Sequence, residues 1–569
     1  MSKTKIIWLS IAGALVVATA LALTFYFTLR PAAEIIDVNL SVSQVGQEQS
    51  VLVEWETSTN VDQVVINVKD SKNVIKESQT INSPSLIAKG NATVNASYGK
   101  QIVEVVVKKN NGATSSKSQS VDVFADEYVI APLVATMPVT FFSLNLKEYT
   151  NNYSIPTFVW LQRGGAWDYS NLHENVYLMP MGEYSEMSTY TDPVKMYEET
   201  SKWVKELYEI NPNSKFHLYY NDYHPWGWMQ ATVANNIPTE NYDVTLLSDG
   251  TGSYYAFSKY MCQSNSDELF AQMCEKYNKL KEQISAKGSY THYDTNVEID
   301  TSELRHYIFC MLTEESNVKL VLARDFVKND MPKDNPMRET FLGLIANAEN
   351  PNRPINVYSL YSLLNNLSSD EKVELKSLYK FSDNMFEKAN EEGKKIMVIL
   401  GTRTDLETNF DYLVKATMAY YGDEYVYYYK GHPGTPTQMD SAKMERLNNL
   451  GLIDVDSTIS AELIFFFNPE IYATGYSSTT YVSLTDEQVK GIWNVKLSNV
   501  NTEYKEKVDY TITKLSESDS VYGSLAVNSN CFLFEFKDTT NYDCAVYDAE
   551  ANLIRYYKNK GSEFEEVNA

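Results

Sequence analysis

The chain has 569 residues, more than one hydrophobic core usually supports, which predicts an export or anchor segment and at least two domains. Its 49 basic and 74 acidic residues give a formal charge of −25, which repels nucleic acid and excludes a role built on binding a phosphate backbone. The five cysteines, Cys262, Cys274, Cys310, Cys531 and Cys544, lack both Cys-x-x-Cys spacing and neighbouring histidines, so no metal site is expected.

In chain order, residues 6–29 form an almost unbroken apolar run, long enough to cross a hydrocarbon layer of roughly 30 Å. Lys3 and Lys5 precede it and Arg30 follows, which weakly favours a cytoplasmic N-terminus. The expectation is one N-terminal transmembrane helix over 1–31 with the globular part extracytoplasmic; a cleaved export signal is the alternative. In that setting Cys262 with Cys274 and Cys531 with Cys544 are candidate disulfides, and buried reduced thiols are an equal reading.

Residues 32–125 alternate with period two, as in Val51-Leu52-Val53-Glu54-Trp55 and Ile102-Val103-Glu104-Val105-Val106-Val107. With polar turns between the runs and Trp55 as a core residue, they resemble an immunoglobulin-like β-sandwich that serves as a spacer. From residue 126 the composition shifts to tyrosine, tryptophan and methionine, and strand-like runs alternate with helical ones, which predicts α/β architecture. Buried strands are expected at 158–161, 216–220 and 244–247, with helices at 193–210 and 267–286. A second series is expected at 396–400, 425–429 and 470–473. Between the two series, Ser368-Ser369-Asp370-Glu371 has the spacing of a capping box opening a helix through about residue 381. The division is 126–385 for the first α/β domain with its helical bridge, 386–500 for the second, and 501–569 for an extension of unknown packing. Two such sheets facing a cleft place ligands at the carboxyl ends of their strands.

Four segments carry candidate chemistry. Ser248-Asp249-Gly250-Thr251-Gly252 follows a strand, and a partly desolvated Asp249 carboxylate can take a proton from a hydroxyl; an ordinary Asp-Gly turn is the alternative. Lys430-Gly431-His432-Pro433 places one of only six histidines on a turn after Tyr427-Tyr428-Tyr429. His432 there can donate to a phosphate or protonate a leaving oxygen, with Lys430 adding positive potential, or it can be hydrogen-bonded within the loop. Ile459-Ser460-Ala461-Glu462 puts Glu462 at a helix start, and Gly475-Tyr476-Ser477-Ser478-Thr479-Thr480-Tyr481 offers hydroxyls and helix amides suited to an anion, or a plain N-cap.

Taken in this order, the segments resemble the bacterial sialyltransferases of glycosyltransferase family 80, over roughly residues 215–493. The family's Asp-Asp-Gly-Ser corresponds to Ser248-Asp249-Gly250-Thr251, its Lys-Gly-His-Pro stands unchanged at Lys430 to Pro433, its Ile-Ser-x-Glu falls on Ile459 to Glu462, and its Ser-Ser pair on Ser478 and Thr479. Gly475 and Tyr481 set that last register, with Ser477 and Ser478 the more literal pair. Leu400-Gly401-Thr402 resembles the first strand and turn of the second domain. The resemblance implies a GT-B fold of two Rossmann-like domains, and inverting transfer of sialic acid from CMP-sialic acid to a galactoside-type hydroxyl. Asp249 would be the general base and His432 would act on the departing phosphate. Ser478 and Thr479 would bind that phosphate and Glu462 the ribose, with Gly401, Thr402, Lys430, Gly431 and Pro433 completing the donor side. No cofactor or metal is implied, and Asp454-Val455-Asp456 reads as solvated loop carboxylates. On the acceptor side His224, Trp226 and Asn221 are the candidates, Trp226 as a stacking surface; packing within a loop is the alternative for His224 and Trp226.

Three departures concern the acceptor: Ser248 replaces the first motif acid, Gly252 stands at a bulkier position, and Asp405 stands near where a tryptophan would contact the acceptor. They leave linkage, acceptor and the balance of transfer and hydrolysis open. The rivals are another cytidine-nucleotide-dependent transferase, polysialyl or glycerophosphate, and a non-catalytic surface glycan-binding protein.

Overall fold

The computed structural model describes residues 36–163, 166–180, 192–249, 257–288, 307–323, 325–358, 360–401, 410–434, 440–476, 478, 480–481, 484–485, 487–494, 532–536, 544–548, 553–559 and 564–568. The anchor expected at 6–29 lies outside these residues; among those described, no helix is long and apolar enough to cross a membrane. The chain divides into two compact units, Met1–Asp126 with Glu206–Pro212, and Glu127–Lys205 with Asn213–Ala569.

In the first unit β1 (Val38–Gln44), β2 (Ser50–Lys69), β3 (Ile75–Asn95), β4 (Gly99–Lys108) and β5 (Thr114–Val123) pair antiparallel in the order β1-β2-β4-β5, with β3 also on β2. The alternation has the predicted cause: Val64, Ile66 and Val68 of β2 and Val103, Val105 and Val107 of β4 face the core while their neighbours face water. Trp55 is buried as expected, against Gly90, where a Cβ would lie 2.6 Å from its ring. The pairing does not by itself establish the immunoglobulin-like sandwich. The first half of β2 pairs with β1 and the second half with β4, while β3 follows β2 along both, so the five described strands form one connected sheet.

The second unit contains two sheets. The first joins β6 (Glu127–Leu133), β7 (Thr157–Leu161), β8 (Val176–Leu178), β9 (Lys215–Asn221), β10 (Tyr242–Leu247), β11 (Val318–Leu322) and β12 (Ile355–Val357) in the order β12-β11-β10-β9-β6-β7-β8. Every pairing is parallel. Numbered within the sheet this is 3-2-1-4-5-6-7, the doubly wound order whose direction reverses between β6 and β9, so a crevice opens at the carboxyl ends there.

The second sheet joins β13 (Lys395–Leu400), β14 (Tyr425–Lys430), β15 (Ile453–Val455), β16 (Tyr472–Tyr476), β17 (Val489–Asn494) and β18 (Phe532–Phe536) in the order β15-β14-β13-β16-β17-β18, all parallel. It has the same reversal, between β13 and β16. The extension of unknown packing proves to be part of it, since β19 (Cys544–Asp548), β20 (Leu553–Asn559) and β21 (Phe564–Val567) continue the sheet antiparallel from β18. Both faces are covered. Ile396, Val398 and Leu400 point into one core cluster and Met397 and Ile399 into another, so β13 reads as a continuous apolar run.

The capping box is present: Ser368 Oγ accepts from the Glu371 N–H and the Glu371 carboxylate accepts from the Ser368 N–H. The helix Ser369–Leu378 ends earlier than predicted because Lys380 turns left-handed at φ 51°. Helix Ala461–Phe467 sits where the two sheets meet, with Leu463 in the core of the first and Ile464 and Phe465 in that of the second.

Candidate active site

On the first sheet the predicted residues lie at the carboxyl ends of β9 and β10. The Ser248 N–H donates to Val321 O of β11, and the Asp249 N–H donates to Asp222 Oδ1 at 2.7 Å, so the turn carrying Asp249 is tied to both neighbouring strands. Asn221, the last residue of β9, is fully buried, and its Oδ1 accepts from the His224 N–H at 3.0 Å and from Tyr197 Oη at 3.4 Å. Asn221 thus positions the His224 loop. The His224 ring meets Tyr223 edge-on at 5.0 Å and Tyr197 at 6.3 Å. Trp226 is only 2% exposed and stands at 87° to Tyr197, so its ring is placed in the core and presents no open stacking face. Gly252 and Asp405 lie outside the described residues.

On the second sheet Lys430 ends β14 with its side chain buried. Its ammonium donates to Ser457 O at 2.9 Å and Gly431 O at 3.1 Å. Burial pushes its pKa down to about 8, against the opposing pull of Asp456, Glu462 and Asp454. His432 is half-buried, and its Nδ1 accepts from the Gly434 N–H at 3.0 Å. A backbone N–H donates only to an unprotonated ring nitrogen, so this bond selects the neutral tautomer with its proton on Nε2. Gly431 is buried and Pro433 half-buried in the same turn. Gly401 follows β13 and donates its N–H to Lys430 O at 2.9 Å, which joins the two strand ends.

Glu462 stands in the first turn of its helix, as predicted, and is buried. Its carboxylate accepts from Ser460 Oγ at 2.5 Å and from Thr480 Oγ1 at 2.9 Å, and Thr480 Oγ1 accepts in turn from Ser478 Oγ at 3.1 Å. The structure therefore links Glu462 to Ser478 through Thr480, a residue the sequence reading quoted but gave no role. Its hydroxyl among three others at residues 477–480 was the available signal. Thr479, Ser477 and Thr402 lie outside the described residues.

Arg163 was missed altogether. It follows β7 of the first sheet, donates to Thr136 Oγ1 at 2.7 Å, and stands close enough to Lys430 of the second sheet for its positive charge to act on that ammonium. Arg163 after β7 of the first sheet and Lys430 at the end of β14 of the second are thus within electrostatic reach of each other. Beside Arg163, Ala135 holds φ 67°, rare for a residue with a side chain, with its N–H donated to Gln162 Oε1. Asp454, expected in a loop, belongs to β15, while Asp456 caps the next turn by accepting from the Thr458 N–H and Oγ1. Among the described residues no group of three or more His, Cys, Asp or Glu is placed to hold a metal.

No protein-family model matches the chain, and no curated protein matches it. Among solved structures it is similar to a 2,6-sialyltransferase of a Photobacterium species in a ternary complex with CMP and lactose, at 13% identity and TM-score 0.51, covering 85% of this chain and 90% of that one. A sialyltransferase from Photobacterium damsela is 12% identical at TM-score 0.48, over 84% of this chain and 95% of that one. At such identities the first likeness shows the fold, a mixed α/β arrangement of the kind found in that enzyme.

Proposed function

We propose that the chain is an inverting sialyltransferase that moves sialic acid from CMP-sialic acid to a galactoside-type hydroxyl. One observation supports the reading: Arg163, after β7 of one doubly wound sheet, acts electrostatically on Lys430 at the carboxyl end of β14 in the other, and Glu462 is bonded through Thr480 to Ser478. A fold alone hosts many chemistries, so the weight lies on those residues.

In this reading Asp249 takes the proton of the acceptor hydroxyl as that oxygen attacks the anomeric carbon, and CMP departs on the opposite face. The bond between the sugar and the phosphate breaks as the new glycosidic bond forms. His432 meets the departing phosphate with Nε2–H, as a hydrogen-bond donor fixed by its bond from Gly434; this favours stabilisation of the leaving oxygen over full protonation. Ser478 contacts the phosphate and Glu462 the ribose, while Asn221 and His224 shape the acceptor side. The similar Photobacterium enzyme was captured with CMP and lactose, which makes these the first probes.

The test is an assay with CMP-sialic acid and a panel of galactosides, with EDTA present, on wild type, Asp249→Ala and His432→Ala. The expected result is EDTA-insensitive transfer reduced about 10²- to 10⁴-fold in each variant. Turnover of a different cytidine donor only, or intact glycan binding with equal background turnover in all three proteins, would refute it in favour of a rival transferase or a binding protein respectively.

A further inference from the structure

Asp222 presents a carboxyl side chain that the reaction scheme leaves without a role. It directly follows β9, is fully buried, and sits beside the turn bearing Asp249. Its main chain continues the parallel ladder by donating its N–H to Leu247 O at 2.9 Å. In a regular parallel pair the next bond would run from the Asp249 N–H to the main-chain carbonyl of Asp222. That N–H instead bonds to the side chain, at Asp222 Oδ1, 2.7 Å away. The carboxylate therefore replaces a strand carbonyl at the point where the two chains part and the crevice opens. A hydrogen bond of this length is a firm restraint on the segment, and a buried carboxyl oxygen needs such a donor.

Ser248 bears on why a carboxylate stands there. It occupies the position where the resembled motif has its first acid, and its side chain is fully buried. The turn thus lacks the acid expected within it and receives one from the neighbouring strand end.

We propose that Asp222 is the positioning residue for Asp249, its carboxylate fixing the backbone from which the base projects. The inference rests on the sialyl-transfer reading for what Asp249 does, but not for the contact itself. Misplacing a catalytic group by about 1 Å costs on the order of 10²-fold in rate, so the effect belongs in kcat and not in acceptor KM. Asparagine retains an oxygen at the same reach, whereas alanine has none.

The experiment compares full-length wild type, Asp222→Ala and Asp222→Asn by peptide-resolved hydrogen exchange over β10 and its turn, and by steady-state kinetics with CMP-sialic acid and lactose. In Asp222→Ala the Asp249 amide is expected to exchange at least tenfold faster and kcat to fall about 10- to 100-fold at unchanged KM. Asp222→Asn should recover most of both. If the alanine variant does not fold, Asp222→Ser, whose hydroxyl is one bond too short to reach that N–H, takes its place. Wild-type protection of the Asp249 amide in the shortened variant overturns the proposal, as does kcat within twofold of wild type or failure of asparagine to rescue. If wild type does not turn over CMP-sialic acid, the sialyl-transfer reading has failed, and the exchange data still decide the role of Asp222.

Discussion

Replacing Gly475 by alanine should damage the second sheet at its switch point. Gly475 lies in β16 opposite Leu400 of β13, with φ 118°, where L side chains are rare. An added Cβ would lie 2.4 Å from Leu400 O and 2.7 Å from Leu400 N. Both are main-chain atoms of a central strand, so neither can move away without breaking ladder bonds that also hold Gly401 and Lys430. Strained backbone costs about 1–3 kcal/mol and overpacking a similar amount, giving roughly 2–6 kcal/mol together. At about 2–4 °C per kcal/mol for a domain of this size, the melting transition should fall by roughly 5–20 °C. Gly422→Ala is the control: it also has positive φ, at 77°, but no atom within 4 Å of its would-be Cβ, so it carries the backbone term without the clash. Thermal scanning of the three proteins with and without CMP measures the difference. If Gly475→Ala melts no lower than Gly422→Ala, the close approach of β13 and β16 inferred from these distances is wrong.

Lys430 provides a pH test: its folded pKa of about 8 lies below the ordinary 10.5, so folding disfavours the cation and the unfolded chain holds more protons between those values. Its contribution therefore costs about 3 kcal/mol below pH 8 and is relieved as pH rises toward 10.5; wild type should gain on Lys430→Met by about that amount across the window, and parallel stability curves would refute the burial argument. Thr480→Val removes the hydroxyl between Glu462 and Ser478 and leaves a buried carboxylate oxygen short of a donor, a loss of about 1–3 kcal/mol that calorimetry with CMP should register as at least a several-fold weaker Kd. Cys274 and Cys310 interact side chain to side chain, which lowers the pKa of the first thiol and raises that of the second, whereas the sequence offered Cys262 with Cys274 only as a candidate pair beside buried reduced thiols. Treatment with a disulfide oxidant such as oxidised glutathione should remove two protons and two electrons from the Cys274–Cys310 pair and link those two cysteines, as non-reducing peptide mapping would show.

The strands and motifs legible in the sequence are those with a strong local signal. The runs at 158–161, 216–220, 244–247, 396–400 and 425–429 lie within observed strands, and the helix at 193–210 matches Pro193–Ile210 to the residue. β6 escaped although it is the first strand of its sheet, because Glu127–Leu133 is buried at six consecutive positions and shows no alternation to read. β16 lies two to three residues beyond its expected position, since the Asn468-Pro469-Glu470 turn holds Ile471 outside the strand. The C-terminal strands each pair with the strand before them in the chain, β18 on β17 and then β19, β20 and β21 in turn, but nothing in their sequence marks that they extend the second sheet. Trp226 shows the limit for side chains: its position after a strand was legible, but its burial against Tyr197 depends on a helix outside the motif. Arg163 and Asp222 act through contacts with other segments that no spacing rule marks, whereas Thr480 stood within a visible run of hydroxyls.

The charge of the chain opposes the proposed substrate at long range, since a protein of net charge −25 must admit an anionic nucleotide sugar. Screening removes most of that opposition, because at physiological ionic strength exposed charges fade over about 8 Å and distant carboxylates contribute little to a cleft. What remains is local: on the proposed donor side stand the buried Lys430 ammonium, the Arg163 guanidinium within its electrostatic reach, and His432 with its proton on Nε2. Arg163 and Lys430 repel each other, and burial presses Lys430 toward neutrality. Asp456, Glu462 and Asp454 act in the other direction and help to keep it charged. These acids therefore do not compete with the donor for the cation so much as maintain it. An arriving phosphate would add to the same balance, so donor binding and protonation of Lys430 should reinforce each other, and CMP affinity should decline as pH rises through about 8.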